Sequence, residues 1–400
     1  MGEHITNTGL PRLVLFPLAA YIVGKEHFGV FVTALSIAAI IGAQPANGLV
    51  TGMIRHLSTY DKRGQRLFYS TAMRMCSWAM VAIVGVGLAT LLGGASFGII
   101  ERLLFQCLVP LLISLYPENQ FFLGLTELRV QRRFRERTVW YAMRAILVVA
   151  FGLSGALVGG AVGFAWGYAV GNFLSYGILM VRRSEWMSGG YDKEMGQSLK
   201  KVWLHMSIAG VISLSGPYLN KIVLGFYHTY TDVADLFAAS AIVFSFLVVV
   251  SCIGYVLLSL LARYATIADL PKAARSQLFV LVVASATLPA ILLWVAGPVA
   301  LRILFPSFGE KSEDLLRILV WAAPFASLVY LMRPFVLKFA PTKVTPLVNG
   351  LSLAGTLIPT VLLIPWFHAT GAAWAVVVGQ AVAGLLWTYY TIKLFWSHMQ

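Results

Sequence analysis

Two similar stretches of the sequence lie about half the chain apart. Residues 163–173 read GFAWGYAVGNF and residues 371–381 read GAAWAVVVGQA, at an offset of 208 residues. Identical residues recur in the same order, among them Gly163 with Gly371, Ala165 with Ala373, Trp166 with Trp374 and Gly171 with Gly379. This match predicts that the second half of the chain repeats the first.

Two earlier matches have nearly the same offset. CLVPLLIS around Pro110 corresponds to WAAPFASL around Pro324, and FGVFVTALSI from Phe28 corresponds to VADLFAASAI from Val233. Three matches in order predict a parallel six-plus-six repeat, an arrangement in which transporters bind substrate between two bundles. The alternative is shared membrane composition, since glycine, alanine and tryptophan are common in membrane spans.

The composition places the chain in a membrane. Hydrophobic residues make up 59% of the 400 residues and charged residues 12%, and the mean hydropathy is +0.80. That leaves too little polar surface for a water-soluble globule. The apolar runs are close to the roughly 20 residues that a helix needs to cross a bilayer, and helices satisfy their own backbone in lipid. The three cysteines lie in apolar runs and are interpreted as packing residues.

Apolar windows between polar breaks predict an all-α integral membrane protein of about twelve transmembrane helices. They would form two six-helix bundles related by a pseudo-two-fold: residues 1–183, a cytoplasmic linker at 184–203, and residues 204–400. The predicted spans are 10–24, 28–52, 70–93, 103–125, 139–158, 161–181, 204–227, 235–261, 277–299, 315–338, 345–365 and 371–392.

The basic residues define a topology. With a cytoplasmic N-terminus, twenty lysines and arginines fall in or beside inner loops and five beside outer loops. Cytoplasmic loops carry such an excess, so both termini are predicted to be cytoplasmic. The net charge of +14 is explained by this bias and by attraction to anionic lipids. No nucleic-acid partner is needed.

Four longer segments resemble one known family. They are PLAAYIVGKEHFGVFVTALSI from Pro17, VQRRFRERTVWYAMRAIL from Val130, GPYLNKIVLGFYHTYTDVADLFAASAI from Gly216, and ILFPSFGEKSEDLLRILVWAAPFASLVYLMRPFVLKF from Ile303. Over nearly its full length the chain is similar to the polysaccharide and O-antigen flippases of the multidrug/oligosaccharidyl-lipid/polysaccharide (MOP) exporter superfamily. The seventh span departs from the family: many relatives have an aspartate before the basic residue, where this chain has Asn220 before Lys221.

The resemblance implies a multi-pass transporter of the cytoplasmic (inner) membrane, and not an enzyme. It would flip a polyprenyl-pyrophosphate-linked oligosaccharide outward by alternating access through a cationic central cavity, for cell-surface polysaccharide biosynthesis. The implied partners are this glycan lipid, membrane lipids and polysaccharide assembly proteins. No cofactor is implied; the driving force would be an H+ or Na+ gradient or the membrane potential.

Basic side chains inside the spans outnumber the one carboxylate, Glu118, that the sequence places deep in a span. A charge at the bilayer centre costs about 2.5–3.5 kcal/mol on insertion scales, so such groups usually face a cavity or a partner. The surplus predicts an anionic substrate, because guanidinium and ammonium groups bind phosphate oxygens. The basic span residues are Arg12, Arg74, Arg144, Lys221 and Arg333.

The alternative for these arginines is that they extend to the membrane interface. Helical spacing gives Arg333 the neighbours Ala326 and Ser327 and gives Arg74 the neighbours Ser70 and Ser77, and small or polar neighbours are typical of a bundle interior. The same test leaves Arg144 ambiguous. Pro334 is expected to bend the tenth span beside Arg333 and widen the cavity.

Other polar residues in the spans leave alternatives open. Asn119 matches Arg333 in the repeat and is predicted to contact substrate. Glu118 is either an H+ or Na+ coupling site or the counter-ion of an arginine, because burial disfavours an unpaired carboxylate. Gln44 and Asn47 either hydrogen-bond sugar hydroxyls or pack between helices.

Two other functions compete with the flippase. A drug or metabolite antiporter of the same superfamily would be expected to carry several carboxylates in its spans. A membrane glycosyltransferase or polymerase would need catalytic residues on large outer loops, whereas the outer loops here are short and the seven histidines are scattered.

Overall fold

The structure is a computed structural model that describes residues 11–397, except 43, 58–59, 99, 188, 262–271 and 342–343. The described residues form helices and no strands. They divide into two compact units. The N-terminal unit is Leu18–Leu214, and the C-terminal unit combines residues 11–17 with the described residues from Ser215 onward.

The described part of the first half of the chain forms eight helices, preceded by a π-helical turn at Pro11–Leu15. In chain order the helices are α1 (Phe16–Val23), α2 (Lys25–Gly42), α3 (Gln44–His56), α4 (Lys62–Ser96), α5 (Arg102–Gly124), α6 (Thr126–Val130), α7 (Phe134–Arg182) and α8 (Ser184–Met187).

The second half contains six described helices. These are α9 (Lys193–Tyr227), α10 (Tyr230–Leu261), α11 (Lys272–Leu304), α12 (Glu310–Val320), α13 (Ala322–Phe339) and α14 (Val344–Ser397). Within the described ranges, seven helices are individually long and apolar enough to cross a membrane, and a bent α9 would make eight. Leaving out the short α6 and α8, counting the interrupted α7 and α14 as two stretches each, and joining α2 to α3 and α12 to α13 gives the predicted twelve. The all-α membrane fold is confirmed.

The breaks in α7 and α14 show the repeat in the backbone. Gly160 interrupts α7 with φ 58° and ψ −138°. His368, which lies 208 residues later, interrupts α14 with φ 52° and ψ −133°. Glycine has no Cβ and adopts positive φ readily, whereas histidine is strained there. Both halves therefore turn back at the same place, although only one uses the residue that suits the turn.

Close backbone packing follows each break. A Cβ on Gly163 would lie 2.1 Å from the carbonyl oxygen of Gly155, and a Cβ on Gly371 would lie 2.4 Å from that of Leu363. Both contacts are again separated by the repeat offset of 208. The small residues that the sequence match picked out are thus required where two antiparallel helical segments touch.

The segment predicted as a linker, 184–203, is partly helical and is anchored in the N-terminal unit. Ser70 on α4 donates a hydrogen bond to the carbonyl oxygen of Gly190 (2.6 Å), and the Asp192 amide donates to Thr71 Oγ1 (3.0 Å). α9 then starts at Lys193, and the boundary between the units falls inside it, after Leu214. The division at 183 and 204 stays a prediction.

Candidate functional site

A buried cluster around Arg144 joins three helical segments of the N-terminal unit. Arg144 Nη2 lies 2.6 Å from Glu118 Oε1, and Arg144 Nε donates to Asn172 Oδ1 at 2.9 Å. The amide of Asn172 is itself fixed by a bond to the Tyr168 carbonyl (3.1 Å). The guanidinium carbon lies 4.8 Å from the ring centre of Phe122, within cation–π range. The guanidinium is therefore held on several sides.

Gln120 anchors the polar stretch of α5 that carries Glu118. Gln120, two residues on, is fully buried and donates to Ser77 Oγ at 2.7 Å, which fixes the rotation of this polar stretch against α4. Only 7% of the Arg144 side chain is exposed, against 21% of that of Glu118. This geometry is what the counter-ion alternative for Glu118 requires, and part of the Glu118 side chain remains exposed.

The arginines at positions 74 and 333 are placed quite differently from Arg144. Both are exposed, although their helical neighbours Ser70 and Ser327 are buried. Among the described residues, no hydrogen bond or ion pair is found for either guanidinium. α13 continues through Pro334 to Phe339. Arg74 belongs to the N-terminal unit and Arg333 to the C-terminal unit, so each unit has an exposed arginine in an apolar helix.

Lys221 on α9 is a buried cation of the C-terminal unit, 7% exposed. Its Nζ donates to the carbonyl oxygen of Pro217 at 2.7 Å and lies 5.6 Å from the ring centre of Tyr218. Pro217 lacks an amide hydrogen, which leaves the preceding turn of α9 without one backbone bond. Beside Lys221, the carboxamide of Asn220 is 1% exposed.

The remaining predicted site residues do not join these clusters in the described part of the chain. Asn119 is buried and donates to the carbonyl oxygen of Leu115 (2.9 Å) in its own helix. The side chains of Arg12, Gln44 and Asn47 lie outside the described residues. Contact of all these residues with a substrate stays a prediction.

Besides the carboxylate of Glu118, two carboxylates near the start of α10 are buried in the C-terminal unit. Asp235, 1% exposed near the start of α10, accepts a hydrogen bond from the Ser312 hydroxyl, and Lys311 Nζ lies 2.5 Å from Asp232 Oδ1. Two aspartates in the sequence DVAD, residues 232–235, at the start of a predicted span could have indicated this cluster. Its partners lie more than seventy residues away, however, and only the packing of α12 on α10 reveals them.

A further buried carboxylate, which the sequence did not indicate, lies in the N-terminal unit. Glu127 on α6 is fully buried, and its Oε2 lies 2.6 Å from Nη1 of Arg183. Burial raises the pKa of Glu127, and the attraction of Arg183 opposes this effect without overcoming it. The sequence places Arg183 in a loop, because none of the residues next to it in the sequence indicates that it is buried.

Comparison with known proteins gives structural relatives. No family model matches the chain, and no curated protein matches it in sequence. The lipid II flippase MurJ, in an inward closed conformation, superimposes with a TM-score of 0.76 at 16% identity, over 98% of this chain and 86% of that one. An inward-facing multidrug resistance MATE family transporter of the MOP superfamily gives a TM-score of 0.72 at 14% identity, over 98% and 97%.

The chain has the fold of the MOP exporters. A mutant of the Vibrio cholerae MATE transporter VcmN agrees, with a TM-score of 0.69 at 13% identity over 99% of this chain and 94% of that one. The MOP fold confirms the architecture that the resemblance implied. The relatives named here are a flippase and transporters, and none of them is described as an enzyme.

Proposed function

We propose that this MOP-fold protein is a transporter that flips a polyprenyl-pyrophosphate-linked oligosaccharide from the inner to the outer leaflet by alternating access. The observation that carries the proposal is the pair of exposed arginines within apolar helices, Arg74 and Arg333, one in each unit. Neither is neutralised by a carboxylate of the described chain.

An exposed guanidinium in a span has to be stabilised by water, by lipid phosphate or by a substrate anion. Its planar fork binds two phosphate oxygens at once, which makes it well suited to a diphosphate. By contrast, the guanidinium of Arg144 already has Glu118 and Asn172 as fixed partners. We therefore assign substrate contact first to Arg74 and Arg333, and a positioning role to Arg144.

The fold supports a lipid-linked substrate as well. The structural relative with the TM-score of 0.76 is named as a flippase of lipid II. The relatives named as MATE transporters, at similar coverage, define the competing hypothesis of drug export. The excess of basic over acidic residues in the spans favours the anionic substrate.

The test is a flipping assay in liposomes that contain the purified protein and a fluorescent polyprenyl-diphosphate oligosaccharide. A membrane-impermeant reagent reports the fraction of label in the outer leaflet while a proton gradient, a sodium gradient and a membrane potential are applied in turn. We expect Arg333→Ala to abolish flipping and Arg333→Lys to retain part of it, because lysine keeps the charge and loses the fork.

The matched control is Lys338→Ala, an exposed cation at the inner end of the same helix, which is expected to flip normally. Normal flipping by Arg333→Ala at equal protein content would show that Arg333 reaches only the lipid interface. Efflux of a lipophilic cation such as ethidium, without glycan-lipid flipping, would favour the drug exporter instead.

A further inference from the structure

A partly open cavity lies inside the C-terminal unit where α9, α10 and α14 meet. Apolar side chains, among them Leu236 and Phe244, form part of its wall. The described residues that line it include no aspartate or glutamate. Its polar lining consists of Asn220, Lys221, Ser240, Thr356 and Gln380. Polar and apolar groups therefore lie side by side in this cavity.

Asn220 is the most deeply buried of these polar residues. Only 1% of it is exposed, and neither its Nδ2 nor its Oδ1 forms a hydrogen bond with any described residue. Buried side-chain amides are bonded to protein, to water or to a ligand in nearly all proteins. Because Nδ2 donates and Oδ1 accepts hydrogen bonds, Asn220 needs a partner that can do both.

The other polar groups of the cavity also combine donors with acceptors. Ser240 and Thr356 donate their hydroxyl hydrogens to carbonyl oxygens of their own helices, so their hydroxyl oxygens remain as acceptors. The carboxamide of Gln380, which is partly exposed, adds both kinds of atom. An anion would meet the acceptor oxygens, and a metal cation would meet the ammonium of Lys221. A neutral ligand with hydroxyl groups suits both kinds of atom.

The repeat also favours a neutral ligand. Gln380 lies 208 residues after Asn172, whose carboxamide oxygen accepts a hydrogen bond from Arg144 in the N-terminal unit. The same offset puts Ser352 at the place of Arg144. The hydroxyl of Ser352 donates to a carbonyl oxygen of its own helix at 2.7 Å. The amide of the C-terminal unit therefore has a hydroxyl residue where the amide of the other unit has a guanidinium.

We propose that this cavity binds hydroxyl groups of the oligosaccharide that the protein transports, which rests on the proposed flippase function. A sugar hydroxyl accepts a hydrogen bond from Asn220 Nδ2, and the same or a neighbouring hydroxyl donates one to Oδ1. Gln380 binds further hydroxyls in the same way. The apolar C–H groups of the sugar ring pack against Leu236 and Phe244.

The cavity would make Asn220 a specificity residue for the glycan, whereas Arg74 and Arg333 contact the diphosphate. A site that binds a substrate hydroxyl discriminates against an analogue without it, because the buried polar groups of the site are then left unpaired. A polyprenyl diphosphate that carries no sugar should therefore bind less tightly than the oligosaccharide lipid, and Asn220 should account for part of this difference.

The first test measures binding to the purified full-length protein in detergent. Fluorescence anisotropy gives the Kd of the fluorescent polyprenyl-diphosphate oligosaccharide, and competition gives that of polyprenyl diphosphate without sugar. Asn220→Leu removes both hydrogen-bonding atoms at nearly constant volume. We expect it to weaken binding of the oligosaccharide lipid about tenfold, as the loss of two hydrogen bonds does, and to leave the sugar-free lipid unaffected. The matched control Asn349→Leu, in the same unit but outside the cavity, should bind both lipids normally.

The melting temperature without lipid separates sugar binding from a structural role. Asn220→Leu should not lower Tm, because the variant no longer buries an amide whose two polar atoms have no described partner. If Asn220→Leu does not fold, Gln380→Leu takes its place, since that side chain is partly exposed. It is expected to show the same selective loss of affinity for the oligosaccharide lipid.

Equal weakening for both lipids, or none for the oligosaccharide lipid, would overturn the proposal and leave the cavity as a site for water. Flipping by the wild type together with either result would leave the flippase function standing. The free oligosaccharide is the probe that separates the opposite case. If it raises Tm saturably in the wild type and not in Asn220→Leu, the sugar site stands even where flipping fails.

Discussion

The two halves of this protein have similar backbone folds, but different groups compensate their buried charges. In the N-terminal unit, Arg144 pairs with Glu118 and Arg183 pairs with Glu127. In the C-terminal unit, the ammonium of Lys221 meets a carbonyl oxygen and an aromatic ring. The repeat thus conserves the close helix contacts, which depend on small residues, and not the electrostatics.

The largest expected effect comes from breaking the buried pair of the N-terminal unit. Glu118→Leu leaves the guanidinium of Arg144 buried beside no carboxylate, so the free energy of unfolding should fall by about 3–5 kcal/mol. Adding Arg144→Met should recover much of this loss, because both charges are then gone. Unfolding of the three variants in mixed micelles measures the effect, and an additive double variant would contradict the coupling.

The second effect tests whether both hairpins depend on close contact. In Gly163→Ala and Gly371→Ala the new Cβ would meet backbone oxygen at 2.1 and 2.4 Å, so each should destabilise by about 1–3 kcal/mol. Gly177→Ala is the control in the same helix as Gly163, since nothing lies within 4 Å of its Cβ. It should be neutral or slightly stabilising. Thermal unfolding compares the three variants, and equal effects at all three sites would refute this account.

The third prediction concerns the residues with positive φ at the two breaks. His368→Gly relieves a positive φ and should stabilise by about 1 kcal/mol, whereas Gly160→Ala introduces the strain and should destabilise by about as much. His368 also contacts the ring of His228, with 3.9 Å between centroids, so His368→Ala separates that contact from the backbone. Differential scanning calorimetry provides the comparison. A loss of stability in His368→Gly as large as that in His368→Ala would show that the ring contact outweighs the strain.

The smallest effects are two pH dependences of opposite sign. The pKa of Glu313 is lowered because Arg302 donates hydrogen bonds to it, so the stability that it contributes is present above about pH 4.5 and is lost as the pH falls through its folded pKa. Burial raises the pKa of Glu127, so its ionisation costs stability as the pH rises through and above 4.5.

The test measures Tm from pH 3 to pH 7 for the wild type, Glu313→Gln and Glu127→Gln. The Tm difference between wild type and variant should therefore change with pH in opposite directions for the two variants. High salt should reduce the Glu313 difference more, because that ion pair is exposed. Parallel slopes would show that the surroundings of the two carboxylates are not as described.

Much of the fold could be predicted because lipid restricts the choices. Long apolar runs must become helices, and the glycine matches at constant offset identified the hairpins that the structure confirms through Gly160 and His368. The spacing of residues along one helix was less informative about which side chains are buried at the site. It placed Arg333 beside Ala326 and Ser327, which are buried, while Arg333 itself is exposed.

The sequence by itself determined that this protein is a two-fold repeated, all-helical membrane protein with more cations than anions in its spans, because hydropathy, small residues and charge are local properties of the chain. Only the tertiary structure decided which charges are compensated. The pairing of Arg144 with Glu118 and the cavity beside Asn220 depend on which helices pack together. Electrostatic energy depends on distances in space, and residues far apart in sequence set those distances.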